Sequence, residues 1–170
     1  MTKLTLLITL LTFGLLQAQP PQIELTPNGL SPVTVTIPSI TPEQFAELSK
    51  AWVTELTRSG LKFDISNVSG SSLTISGMKK NAFIYRDRGE THHHKAKLVM
   101  KVDFTDTSYT LAMTMPEIYA DNDQILKYTL PDYFNAGGTI KEGYDDLEKS
   151  VEATANDIAL NYYNFIINFK

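Results

Sequence analysis

KAKLVMKVDFTDTSYTLAMTM, residues 95–115, decides how this chain folds. Ala96, Leu98, Met100, Val102 and Phe104 recur at every second position, and Lys95, Lys97, Lys101 and Asp103 occupy alternate ones. Successive side chains of a strand point to opposite faces, so the pattern predicts a strand with one buried and one wet face. Val99 is the one apolar residue on the wet side. Thr105-Asp106-Thr107 supplies a turn, and Tyr109, Leu111, Met113 and Met115 resume the alternation. Two such runs joined by a polar turn predict a hairpin whose apolar face must be covered by other parts of the chain.

Two helices are available to cover it. Thr41-Pro42-Glu43-Gln44 is a helix start: Thr41 caps, Pro42 suits the first helical position and Gln44 completes a capping box. Phe45, Leu48, Ala51, Trp52 and Leu56 then follow at helical spacing, and Gly60 is placed to end the helix. From Asp145 the spacing is helical again, with a stripe of Leu147, Val151, Ile158, Tyr162, Phe165 and Phe169. Further strands are read at Pro32–Ile37, at Leu61–Ile65, at Leu73–Gly77 and at Ala82–Tyr85. Residues 116–144 look irregular, with a short helix expected inside Asp121–Tyr128. The expected architecture is α+β: a two-layer sandwich in which a curved antiparallel sheet of about five strands carries two helices on one face, in the order β-α-β-β-β-β-α. The opposite sheet face, with Lys95, Lys97, Lys101, Thr110 and Thr114, is expected to be open.

Residues 1–18 read as a signal peptide. Lys3 provides the positive start, Leu4–Leu16 is an uncharged run of 13 residues, and Ala18 is a small residue suited to cleavage. A helix of that length rises only about 20 Å, short of a hydrocarbon core of roughly 30 Å. Residues 19–31, with Pro20, Pro21, Pro27 and Gly29, read as an extended lead-in, and 32–170 as a single domain. The expectation is an exported protein, periplasmic or secreted, without a transmembrane segment once the leader is removed. The absence of cysteine excludes disulfides, thiolate metal centres and cysteine nucleophiles. A net charge of −4 argues against a nucleic-acid partner.

A strand, a capped helix with Ala51-Trp52-Val53 at its middle, a strand with Ile75-Ser76-Gly77, a long hairpin ending in Tyr109-Thr110-Leu111 and a final long helix follow the leader. This arrangement resembles an exported Bacteroidota domain-of-unknown-function family with a TBP-like fold, over roughly Pro32 to Phe169. The resemblance implies a curved sheet with helices on one side. It supplies no catalytic residues and does not imply DNA binding, because fold does not fix function.

Charge is distributed unevenly. Residues 79–101 hold seven basic residues against Asp87 and Glu90, a net of +5, which leaves −10 on the rest of the mature chain. Lys95, Lys97 and Lys101, with Arg86 and Arg88 at the edge, are therefore the candidate binding residues, and an anionic envelope component or another protein is the expected partner. His92-His93-His94 contains every histidine of the chain. On a strand only His92 and His94 share a face, so the pair could bind a transition metal weakly, with Asp87 or Glu90 as a further ligand. Tyr119, Tyr128, Tyr133, Phe134 and Tyr144 either pin the irregular segment to the body or form a stacking surface. Asp121-Asn122-Asp123 lacks the glycine and distal glutamate of a calcium loop and reads as a turn. No P-loop, dinucleotide fingerprint or Gly-x-Ser-x-Gly is present. The expected function is a non-enzymatic binding or interaction module without a cofactor. The alternatives are weak metal binding, or an enzyme of unidentified type.

Overall fold

The computed structural model describes residues 21–168. The expected signal peptide and Phe169 lie outside the described residues. The chain runs through β1 (Leu25–Thr26), β2 (Gly29–Leu30), β3 (Val33–Thr36), α1 (Pro42–Arg58), β4 (Phe63–Ser66), β5 (Ser72–Asp87), β6 (Glu90–Phe104), β7 (Ser108–Tyr119), a 3-10 turn (Leu130–Tyr133) and α2 (Leu147–Asn168). β3 to β7 form one antiparallel sheet in the order β3-β7-β6-β5-β4, and β1 pairs with β2 alone. The expected order β-α-β-β-β-β-α is thus realised, preceded by a small hairpin.

The alternation read from residues 95–115 sets the register: Met100 faces Met113 and Val102 faces Leu111. Ala96, Leu98, Met100, Val102, Leu111 and Met113 are buried on one face, beneath both helices. The α1 start behaves as its residues predict. The Thr41 hydroxyl accepts from the Gln44 N–H at 3.3 Å, and the Gln44 side chain accepts from the Thr41 N–H at 3.1 Å. Phe45, Ala46, Ser49, Trp52 and Val53 form its buried face.

The layers are joined at one aromatic knot. Phe45 stacks on Phe104 at 4.6 Å, and Tyr162 meets Trp52 at 4.8 Å and Tyr109 at 5.6 Å. Ser49 donates its single hydroxyl proton to the Phe45 carbonyl at 2.9 Å. The Tyr162 hydroxyl, 2.7 Å from Ser49 Oγ, must therefore be the donor in that pair. The Trp52 indole N–H donates to Asn161 Oδ1 at 2.7 Å. The burial stripe of α2 is Leu147, Val151, Ala155, Ala159, Tyr162 and Ile166; Ile158 and Phe165, expected in it, are half-buried at its margin. Small alanines let the helix sit close to the sheet.

Three local expectations are replaced. The segments read separately at Leu73–Gly77 and Ala82–Tyr85 are one strand, β5, with its register shifted between Lys79 and Phe83, where Asn81 has φ +48°. Such an irregularity breaks the period-two pattern without breaking the strand. The helix expected inside Asp121–Tyr128 does not form. Leu126 N–H donates to Ile118 O and Ala120 N–H to Gln124 O, so the chain folds back on the end of β7. The lead-in is docked from Ile23 onward: the Asn156 amide accepts from Ile23 N–H at 2.8 Å and donates to Ile23 O at 2.9 Å, as a neighbouring strand would. Glu152 accepts from Leu25 N–H at 2.8 Å, and Ile23 and Leu25 are buried.

Among the described residues no helix is long and apolar enough to cross a membrane. Gly77 faces Phe63 across β4–β5, and a Cβ there would lie 2.5 Å from both the Lys62 carbonyl and the Phe63 ring. Gly77→Ala is expected to cost about 1–3 kcal/mol, read as a lower urea midpoint at unchanged slope. Tyr162→Phe, which keeps the ring and loses the bond to Ser49, is expected to cost about 0.5–1.5 kcal/mol, and Tyr162→Ala about 3–5 kcal/mol. Equal losses for the two Tyr162 variants would show that the hydroxyl, not the ring, holds the knot.

Candidate functional site

The sheet face away from the helices is uncovered, as expected, but its cations are not free. Lys97 pairs with Glu117 at 2.8 Å, Lys101 with Asp103 at 3.0 Å, and Lys95 with Asp123 while also lying 4.7 Å over the Tyr119 ring. Arg86 meets Asp146 at 3.2 Å, and Arg88 meets Asp87 at 4.0 Å. Glu117 and Asp123 lie 20 and 28 residues along the chain from their lysines, so a charge sum over residues 79–101 misses them. Hydrogen bonds from Lys97 and Lys95 hold the Glu117 and Asp123 carboxyls below their ordinary range. The rest of the face mixes Val99, Met78 and Ala112 with short polar side chains, including Thr34 and Thr110 in hydrogen-bond contact at 2.9 Å. Its five candidate cations are thus each paired, while Lys79 and Lys80 of the same basic segment have no salt bridge among the described residues.

The histidine run is part of β6, opposite β5: His94 faces Phe83, His93 faces Ile84 and His92 faces Tyr85. On the helix side of the sheet this places four rings in an interleaved stack. Phe83 and His94 stack at 4.9 Å, His94 and Tyr85 at 5.1 Å, and Tyr85 and His92 at 4.8 Å. His92 and His94 do share a face, but the Tyr85 ring stacks against both. No group of three or more His, Asp or Glu among the described residues could hold a metal ion. Asp87 and Glu90 lie opposite each other at the hairpin tip, where Asp87 meets Arg88.

The chain from 120 to 146 folds over this stack. Tyr144 packs edge-on against Tyr85 and Tyr133, both at 4.9 Å, and Tyr128 lies 6.4 Å from Tyr133. Between these rings, His92 and the Asp121-Asn122 turn is a cleft of about 400 Å³. Tyr133 is buried, as a pinning residue must be, whereas Tyr128 is 57% exposed.

His94 is the chemically unusual member. It is only 4% exposed, and its Nδ1 lies 3.1 Å from the Tyr119 carbonyl. A carbonyl can only accept, so Nδ1 carries the proton and Nε2 is a bare acceptor. That Nε2 is buried without a hydrogen-bond partner among the described residues. Burial holds the His94 pKa below the ordinary histidine value, against the opposing pull of the Tyr119 bond and Asp121. Sequence placed His94 on the right face but gave no sign of the orphaned nitrogen. That depends on Tyr119 and on the cover, both distant in sequence.

No protein-family model and no curated protein matches the chain. Among solved structures it is similar to a TBP-like protein from Parabacteroides distasonis, with a TM-score of 0.58 at 13% identity over 82% of this chain and 93% of that one. A DUF4468 family protein from Bacteroides ovatus gives a TM-score of 0.49 at 8% identity, over 87% of this chain and 85% of that one. The fold is TBP-like, as the resemblance implied.

His94 makes stability depend on pH. Its folded pKa is lowered, so the unfolded chain takes up the proton first as pH falls through the ordinary histidine value near 6.5. Stability is expected to decline from about pH 7.5 toward pH 5.5, and to decline less in His94→Phe, which keeps the ring stack and cannot titrate. Equal declines in denaturant midpoint would remove His94 as the cause.

Proposed function

We propose that the chain is an exported protein of the bacterial envelope that acts as a non-enzymatic binding module, and that it binds through the tyrosine–histidine cleft. One observation carries this: three separate stretches, β5–β6, the 120–128 turn and residues 133–144, bring their rings to one concave place beside an orphaned buried acceptor. Small-molecule sites are concave, mostly apolar, and carry a few converging polar groups. Export is supported by Lys3, the apolar run Leu4–Leu16 and Ala18. A non-enzymatic role is supported by His94, whose Nδ1 is bonded to backbone and whose Nε2 is enclosed, leaving it badly placed as a general base.

Binding of an anionic envelope component on Lys95, Lys97, Lys101, Arg86 and Arg88 is the second reading. The openness of the sheet face favours it. The five ion pairs oppose it, because an incoming anion must compete with carboxylates already in place.

Fractionation of cells expressing the full chain is expected to place it in the envelope or medium, beginning at Gln19 by mass spectrometry. Crosslinked envelope material is expected to be retained by wild type and by a Lys97→Gln/Lys101→Gln variant, and lost by Tyr128→Ser. A cytoplasmic chain with its leader attached would sink the export claim. Salt-sensitive retention lost with the lysines instead would move the site to the open sheet face.

A further inference from the structure

Resting on the binding-module reading above, we propose that the cleft receives a small organic cation, an ammonium or guanidinium head group, seated against the tyrosine rings and facing the Asp121 carboxylate. The lining carries one carboxylate, Asp121, beside three imidazoles, the Asn122 amide and the tyrosine hydroxyls. Asp121 lines the cleft and has no ion-pair partner among the described residues, whereas Lys95, Arg86 and Arg88 nearby each have a carboxylate of their own. No lysine or arginine lines the cleft.

The field points the same way. Asp87 adds to the burial that raises the Tyr85 hydroxyl pKa, Asp132 acts likewise on Tyr133, and Asp121 pulls on His94. Asp87 meets Arg88 and Asp132 is acted on by Lys141, so of these three carboxylates Asp121 is the one without a cation beside it among the described residues. A phosphate or carboxylate would face the Asp121 carboxylate with no lysine or arginine in the lining. Ring faces carry negative quadrupole charge, and cations are attracted to them most where water is partly excluded. Tyr128, more than half exposed, is the wall a ligand can reach without disturbing the buried stack.

The test is an NMR titration of the purified mature chain with choline, with its uncharged tert-butyl isostere and with cellobiose, following histidine and tyrosine side-chain resonances. Choline is expected to give a saturable shift confined to the cleft, and the isostere to bind about tenfold more weakly. Asp121→Asn and Tyr128→Leu, both at exposed positions, should each weaken choline by about three- to fivefold. Lys101→Gln should leave it unchanged. No saturable choline shift, an isostere that matches choline, or an Asp121→Asn variant with full affinity would each overturn the proposal. Saturation by cellobiose alone would overturn the cation and leave the cleft as the binding site. The binding-module reading falls separately, if cleft variants retain envelope material as well as wild type does.

Discussion

The buried hydroxyl of Tyr162 finds its partner on the other helix, at Ser49, whose own proton is committed to the Phe45 carbonyl. An unpaired phenol at that depth would cost more than the bond itself contributes, so this chain of two hydrogen bonds fixes how α1 and α2 lie against each other. Desolvation there raises the Tyr162 pKa far above the ordinary tyrosine value, and the group stays neutral. With the helices paired, their apolar stripes share one plane, and the sheet face that alternates Ala96, Leu98, Met100 and Val102 is the surface that meets it.

That arrangement has a geometric remainder. β5 and β6, at about 3.3 Å per residue, reach roughly 50 Å, whereas α1 at 1.5 Å per residue covers about 25 Å. The far end of the hairpin therefore projects past α1. Its core-side residues are no longer aliphatic but Phe83, Tyr85, His92 and His94, and the 120–146 segment folds over them, while α2 reaches this end only by its first turns, where Ser150 accepts from Ile84 N–H. Rings with polar edges suit a half-covered surface, since their faces stack while their heteroatoms stay near water. The cleft is thus where regular layers run out.

Most of the layered fold is legible in local pattern because period two and period 3.6 are properties of neighbouring residues. Thr41-Pro42-Glu43-Gln44 announces its helix unaided, and Ala96 to Phe104 announces its face. Strand continuity across Asn81 is not legible, since the shift there scrambles the alternation that defines a strand. The docking of Ile23 is hidden for a different reason: its partner, Asn156, lies 133 residues away and supplies strand-like bonds from a side chain. The charge on the open face fails as a local reading because pairing is a property of the sheet. Lys97 meets Glu117 only once β6 and β7 are in register. The metal reading of His92 and His94 was right about their shared face, and no spacing rule reveals that Tyr85 stacks against both.

Trp52 is the single tryptophan of the chain, enclosed in the knot between the helices with its N–H held by Asn161. Four of the eight tyrosines, Tyr85, Tyr128, Tyr133 and Tyr144, sit at the opposite end around the cleft. The indole is thus a native optical label for the helix pairing, whereas phenol absorption sums the cleft rings with Tyr109 and Tyr162 of the knot. Opening of the helix pair can be watched by indole emission in the unmodified protein, without an added dye.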